Sequence, residues 1–499
     1  MFRRVHKLLT PRSKESTMTT ESVSGNQPRP VATIASLTLL IAAVAALESI
    51  IVPALPLIQR DFGVTADVGA LASVALTLST VLVTPMAGRI ADVYGARPTL
   101  LAITTIVVLG GSVSALATIF PLFVLGQFLQ GFGLGLLPVS FVVLRRTLSS
   151  DRLKTATGLL GAVVVAGGAL GVVLAGPVAE NVSRTAMYAV PTAFVLLGAI
   201  AFAVSTPRDH MSNVGGRLDW PGAGGLALGL LTLTAWLASA SSNGWGAPTS
   251  MLLLLASAAV FAIWAKYQSR TTEPMVDLTM MRHRSMWSAV VVGVVFGFTY
   301  GAVVYLLPQQ LAVPAESGFG RGASTSAIGI LLCIGYGAAV IASVISGKLA
   351  QRVGTKAIAV AGVAFLGLSG AVGVFATTMW QIVVVLILAG TGVAAASTAV
   401  FVISADSAPA DRVGVTTAIV TIARSLGSAV GTQIAAGIIA SATSSGGLPQ
   451  HSAFATAFGV AAIVAIVGLV VAVTMPKPAS TDVQWSSSSS SKSATPRFQ

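Results

Sequence analysis

Charge is what this sequence is shortest of. Only 9% of its 499 residues are Asp, Glu, Lys or Arg, while 54% are hydrophobic; an ordinary soluble domain carries about a quarter charged residues. A water-soluble fold cannot hide that much apolar surface, which excludes soluble enzymes and scaffolds. A bilayer solvates it, at roughly 20 apolar residues for each helix crossing about 30 Å of hydrocarbon. Cysteine is nearly absent. Cys333 stands alone in an apolar stretch, so there is no disulfide framework or Cys-rich metal site, and it reads as a buried structural thiol. His6, His210, His283 and His451 are scattered without metal-ligand spacing. No Walker-type phosphate loop is present, so the chain does not itself use ATP. No Ser/His/Asp or paired-carboxylate set points to an enzyme, and no metal or cofactor is implied. Energy must come from an ion gradient or from the substrate's own gradient.

What the sequence does have is long apolar runs. They fall near 31–58, 67–88, 99–118, 120–144, 155–178, 187–205, 220–240, 250–267, 286–310, 326–350, 357–376, 380–404, 413–441 and 452–474, which predicts fourteen transmembrane helices, numbered here as spans 1 to 14. The pair 99–118 and 120–144 is divided mainly at Phe120-Pro121. The net charge of +13 would suggest nucleic acid on a soluble face, but the basic residues alternate from loop to loop. With the N-terminus inside, 25 Lys and Arg fall on the inner side and three, Arg60, Arg184 and Arg321, on the outer. That asymmetry predicts both termini in the cytoplasm. Anionic lipid headgroups are then the natural partner of the charge, and nucleic acid is not one.

Residues 1–30 hold six basic residues and no signal-peptide core, and read as a disordered cytoplasmic tail; Met18 is an alternative start. Residues 475–499, with Ser486 to Ser491, read as a second disordered tail.

The chain repeats itself. "GRIADVYGAR" from Gly88 recurs as "GKLAQRVGTK" from Gly347, an offset of 259 that pairs Gly95 with Gly354 and Arg97 with Lys356. At the same offset Gly131 and Gly133 meet Gly390 and Gly392; at 260, Asp151 meets Asp411, and Gly167 and Gly171 meet Gly427 and Gly431. Each copy of the Gly-basic segment follows an even-numbered span. The two halves are therefore parallel repeats, an architecture that places the substrate site at their interface near the midplane. The expected organisation is an all-α integral membrane protein: a six-helix half over 31–205, an inserted two-helix hairpin with its loops over 206–285, and a second six-helix half over 286–474.

Two charges lie deep in spans. Glu48 is ten residues from the outer end of its run, about 15 Å at 1.5 Å per residue, which is the bilayer midplane. The anion is costly there, so Glu48 should face an internal cavity and exchange a proton near neutral pH, in coupling or substrate binding. The alternative is a permanently protonated hydrogen-bonding group. Arg424, eleven residues into span 13, is expected to line the cavity opposite Glu48, or else to snorkel or brace its helix. Tyr300, Tyr336 and Gln433 are further in-span candidates for cavity hydrogen bonds or packing. Gln309 and Gln310 sit at the outer end of span 9.

"GRIADVYGARPTL" between spans 2 and 3 resembles the cytoplasmic loop motif GxLADxxGxRxxL of the major facilitator superfamily. "LDWPGAGGL" from Leu218, "NGWG" from Asn243 and "EPMVDL" from Glu273 are similar to the inserted hairpin and central loop of its fourteen-span drug:proton antiporters. In the loop, Gly88 and Gly95 permit a tight turn and close helix approach, and Asp92 and Arg97 can pair. The resemblance implies a gating lock built from these residues with Gly347, Gly354 and Lys356; topology alone is the other reading. "ALESIIVPALPLI" looks like the first-span motif, with Glu48 where Asp is usual. Span 4 departs from the family's RxxQGxG motif, because Gln127 stands in the arginine position; Gln127 is a candidate for proton coupling or the cavity, without the charge of the family's relay. Span 5 departs too: Gly171 is followed by Val172, and the motif's Gly-Pro step stands at Gly176-Pro177. The glycines still allow close helix packing.

The resemblance thus implies a monomeric cell-membrane transporter, a multidrug efflux antiporter of small amphiphilic compounds driven by the proton gradient and conferring antibiotic resistance. The departures at Gln127 and in span 5 leave a proton-independent facilitator or importer of a narrower metabolite as the alternative.

Overall fold

The computed structural model describes residues 30–147, 150–206, 219–271, 274, 276, 278, 284–406, 413–442 and 449–474; the side chains of 30, 85, 92, 145–147, 150–159, 161, 241–242, 284–285, 351, 404–406 and 413–418 lie outside the description. Both terminal tails and the Asp92–Arg97 pairing are therefore outside the described residues.

Fourteen described helices are long and apolar enough to cross a bilayer. Spans 1 to 6 are Val31–Ser49, Ala66–Thr84, Ala96–Leu116, Phe120–Leu144, Ala162–Asn181 and Arg184–Ser205. Spans 7 and 8 are Trp220–Ala240 and Pro248–Gln268. Spans 9 to 14 are Met286–Ala312, Thr325–Ala350, Thr355–Val374, Met379–Ile403, Ile419–Ser441 and His451–Thr474. The short connection between spans 3 and 4 runs from Leu116 to Phe120, with Pro121 in the first turn of span 4, where its missing N–H costs nothing.

Packing follows the sequence repeat. Span 1 packs on spans 5 and 6, and span 3 on spans 4 and 6; likewise span 9 packs on spans 13 and 14, and span 11 on spans 12 and 14. Glycines set these approaches. A methyl at Gly167 would sit 2.5 Å from the Ala42 carbonyl oxygen, and one at Gly171 would overlap that of Ala46. Their repeat partners Gly427 and Gly431 meet the Val294 and Phe298 carbonyls in the same way. Gly131 abuts the Leu76 carbonyl and Gly390 that of Gly335, so the repeat extends to the backbone atoms each glycine faces. With no hydrophobic drive between helices in lipid, such close backbone approach is what holds the spans together.

The gating-loop glycines divide into two kinds. The helices of spans 2 and 10 run on to Tyr94 and Val353, and Gly95 and Gly354 end them at φ 97° and 88°, a conformation strained for any residue with a side chain. Gly88 and Gly347 lie inside helices, and an added Cβ at either meets nothing within 4 Å. The expected tight turn belongs to Gly95, and Gly88 makes no close approach here. Arg97 donates from Nη2 to the Ala203 carbonyl at 2.6 Å, tying the start of span 3 to the last turn of span 6.

The halves meet along two seams, span 2 against span 13 and span 5 against span 10. Span 7 lies across the first seam: Leu226 and Leu230 bury themselves in one cluster with Val74, Leu78 and Val81 of span 2 and Ile419 and Val420 of span 13. Span 8 packs on span 7, and Asp219 fastens the pair by accepting bonds from the Gly222 amide (2.8 Å) and from Gln268 Nε2 (3.0 Å).

Candidate functional site

Span 1 is broken where the site forms. One helix ends at Ser49 and another runs from Ile51 to Phe62. Pro53 has no N–H to offer the Ser49 carbonyl, so the regular ladder stops there, and Glu48 is delivered to the break. Opposite it, span 4 tightens into a 3-10 stretch over Gly131–Gly135, a geometry tolerated only briefly. Gly133 lies so close that a methyl there would overlap Glu48 Oε1.

Glu48 borders two spaces. One is a cavity of about 180 Å³ between the halves. Its walls come from span 1 and its continuation (Glu48, Ile51, Leu55), span 2 (Ser73, Thr77), span 9 (Tyr300, Tyr305), span 10 (Tyr336) and span 13 (Ser428, Thr432). The other is a void of about 20 Å³ inside the first half, lined by Val44, Ala45, Gly133, Leu137 and Val164, enough for roughly one water molecule. The Oε1 atom of Glu48 is buried and has no hydrogen-bond partner.

Of the residues singled out from sequence, Glu48, Tyr300 and Tyr336 converge on the cavity. Arg424 does not join them. It sits one turn from Ser428, its guanidinium 5.9 Å from the centre of the Phe296 ring, and it makes no ion pair with Glu48. Depth along span 13 is the reason: Arg424, Ser428 and Thr432 follow one another at i, i+4 and i+8 on one face, and the cavity reaches Ser428 and Thr432 but not the turn that carries Arg424. Gln127 also misses the cavity. It is fully buried, and its Nε2 donates to Ser114 Oγ at 3.1 Å, where Gln130 Nε2 also donates at 2.6 Å. It braces spans 3 and 4. Gly167 and Gly171 pack span 5 on span 1, while Gly176, beside Pro177, meets the Ser326 backbone of span 10. Sequence reading passed over Tyr305, Ser73, Thr77, Ser428 and Thr432. The i, i+4 pairs Ser73/Thr77 and Ser428/Thr432 are the signal that marks them, a small polar stripe on an apolar helix.

At the Arg-poor end of the molecule hydrogen bonds cross between the halves. Tyr305 donates its O–H to the Ala66 carbonyl (2.8 Å), Gln309 Nε2 donates to Gln59 Oε1 (2.8 Å), and Gln433 Nε2 donates to the Asp67 carbonyl (3.0 Å). The Ser326 amide and hydroxyl donate to the Glu180 carboxylate at 2.9 and 2.7 Å. These bonds tie the two halves together at that end.

A helical membrane protein of two similarly packed halves around a central cavity narrows the families to consider, and comparison decides among them. The sequence model of the Major Facilitator Superfamily matches residues 37–320 and again 292–496. The chain belongs to the Major Facilitator Superfamily. Among relatives, the tetracenomycin C resistance and export protein of Streptomyces glaucescens is 26% identical over 440 residues, covering 84% of this chain and 77% of that one. The multidrug resistance protein Stp of Mycobacterium tuberculosis is 24% identical over 395 residues, 78% and 72% of the two chains. Among solved structures, the nucleoside transporter NupG superposes with a TM-score of 0.65 at 12% identity, over 89% of this chain and all of that one. That likeness concerns the fold. As a facilitator with fourteen spans and export proteins among its relatives, the chain agrees with the drug:proton antiporter branch of the superfamily.

Proposed function

We propose that this facilitator exports small amphiphilic compounds in exchange for protons, by alternating access between its two halves. The observation that carries the reading is the position of Glu48 on the wall of a cavity to which both halves contribute. The tyrosine, serine and threonine hydroxyls of that wall are too weakly acidic to cycle near neutral pH, whereas a carboxyl can. The carboxyl on that wall can take a proton or meet a cationic substrate, and one carboxylate serving both in turn is the simplest exchanger. The relatives that confer resistance by export support the direction. With the Arg-rich end cytoplasmic, the bonds at the Arg-poor end describe a state sealed from outside, in which substrate is loaded from within. The gating-loop residues Gly88, Asp92, Gly95, Arg97 and their repeat partners act in this reading as the complementary inner closure.

The test is exchange in proteoliposomes. Wild-type protein should release protons when a lipophilic cation is added to vesicles with an acid interior, and Glu48→Gln should abolish the release with folding intact. Undiminished release in the variant removes Glu48 from the mechanism. A proton-independent facilitator is the second reading, favoured by Gln127 and its neutral, buried bonds to Ser114; counterflow with no response to a pH gradient selects it.

A further inference from the structure

The repeat makes the surroundings of Glu48 comparable, residue by residue, with those of its counterpart in the second half. Gly167 and Gly171 face the carbonyls of Ala42 and Ala46 as Gly427 and Gly431 face those of Val294 and Phe298. Val294 and Phe298 each stand 252 residues after their equivalents on span 1, which sets Glu48 against Tyr300 and Val44 against Phe296. On span 5, Val164 stands against Arg424 at the offset of 260.

Three large side chains of the second half are thus replaced by smaller ones in the first. Phe296 and Tyr300 pack with Val393 and Ala396 of span 12 in one cluster, and the Arg424 guanidinium lies 5.9 Å from the centre of the Phe296 ring. Their equivalents Val44, Glu48 and Val164 border the void of about 20 Å³. Leu134 and Leu137, in the places of Val393 and Ala396, take back only part of that room. The void has one polar side chain on its wall, Glu48, whose buried Oε1 lies against Gly133 with no hydrogen-bond partner. The titratable groups that share its surroundings, Tyr300, Tyr305 and Tyr336, are all on the cavity side.

We propose that this void is a binding site for one water molecule that takes the proton from Glu48 and returns it, so that proton and substrate reach the one carboxyl from different faces. The volume suits a water. A bare metal cation needs several oxygen ligands, and the side chains here offer a single carboxyl. In the transfer the O–H bond of the acid breaks, its electron pair stays on the carboxylate, and the proton moves onto the water oxygen; the carboxylate left behind then meets a cationic substrate from the cavity. Thr38, on the same side of span 1 and about 15 Å nearer the Arg-rich end at 1.5 Å per residue, carries another buried oxygen without a partner and marks the direction in which the proton leaves. The second half has a permanent cation, Arg424, in the place of Val164, so the site is one-sided. This inference rests on the export reading above.

Infrared difference spectra of the reconstituted protein, taken across an acid titration, test it. The carbonyl stretch of protonated Glu48, identified by its loss in Glu48→Gln, should lie at the lowered frequency of a hydrogen-bonded acid, together with a water band that shifts in oxygen-18 water. Val164→Ile, which fills the void, should raise the carbonyl frequency and remove the water band; Val164→Thr, of the same size as valine and with a hydroxyl to offer, should leave the carbonyl low. A wild-type carbonyl at the free-acid frequency overturns the site, as does a band that ignores Val164→Ile. In proteoliposomes Val164→Ile should slow proton release triggered by tetraphenylphosphonium several-fold, while the Kd of that cation, measured at a pH where Glu48 is ionised, stays unchanged; equal losses in both overturn the separation of the two faces. If Val164→Ile does not fold, the wild-type bands and Val164→Thr decide. No tetraphenylphosphonium-triggered release in wild type, with the infrared bands as expected, refutes the export reading and leaves the water site standing.

Discussion

Tyr305 of span 9 hands its phenolic hydrogen to the carbonyl of Ala66, the first residue of span 2, at 2.8 Å. One bond therefore joins the cavity wall to the closure at the Arg-poor end, because the same side chain belongs to both. Tyr305→Phe removes a hydrogen bond worth about 1 kcal/mol, a shift of about fivefold in the ratio of closed to open forms. Spin labels on the ends of spans 2 and 9 should report a larger open fraction; an unchanged distance distribution refutes the role.

Gly133→Ala sets a methyl against Glu48 Oε1 and must displace the carboxyl. The same methyl overlaps Val44 Cγ1, so the variant should lose about 1–3 kcal/mol of stability, and proton-linked exchange should drop several-fold in the protein that stays folded. A variant with normal exchange shows that the orientation of Glu48 is immaterial.

The loop glycines should respond with opposite signs. Gly95→Ala forces a side chain to φ 97° and should cost of order 1–3 kcal/mol. Gly88→Ala, in a helix with open space beside it, should stabilise the protein by about 0.5–1 kcal/mol. Thermal unfolding in detergent distinguishes them, and matching shifts refute the assignment of the turn to Gly95.

Gly171→Val and Gly431→Val should behave as a pair. Each drives a branched side chain into a carbonyl of the facing span, Ala46 or Phe298, and overpacking of this kind costs about 1–3 kcal/mol. Similar losses of stability in the two variants are expected; tolerance at one site alone denies the equivalence of the two helix pairs.

Much of this was legible in the sequence, for reasons that differ from residue to residue. A helix that must cross hydrocarbon announces itself by length and apolarity, so all fourteen spans could be counted. Glu48 stood out because a lone carboxyl in such a run has few uses. The glycine repeat was visible because close helix contact tolerates no substitute. What the sequence hid is how far along each helix the cavity extends. Arg424, Ser428 and Thr432 share one polar stripe of span 13 at i, i+4 and i+8, so the face was readable, but only the packing of the halves shows that the cavity reaches Ser428 and stops short of Arg424. For Gln127 the partner was hidden: only the packing of span 3 on span 4 brings Ser114 to it. The break after Ser49 was encoded in Pro53, but its effect on Glu48 needed the three-dimensional path of the chain.

The fasteners at the Arg-poor end are mostly electrically silent. Three of the four are made by a phenol or an amide group, to a backbone carbonyl or another amide. A transmembrane voltage exerts force only on charge that moves through it, so these bonds form and break without drawing on the membrane potential. In the proposed exchange, sensitivity to voltage then falls to the proton, the substrate and the Glu180 carboxylate that makes the fourth fastener.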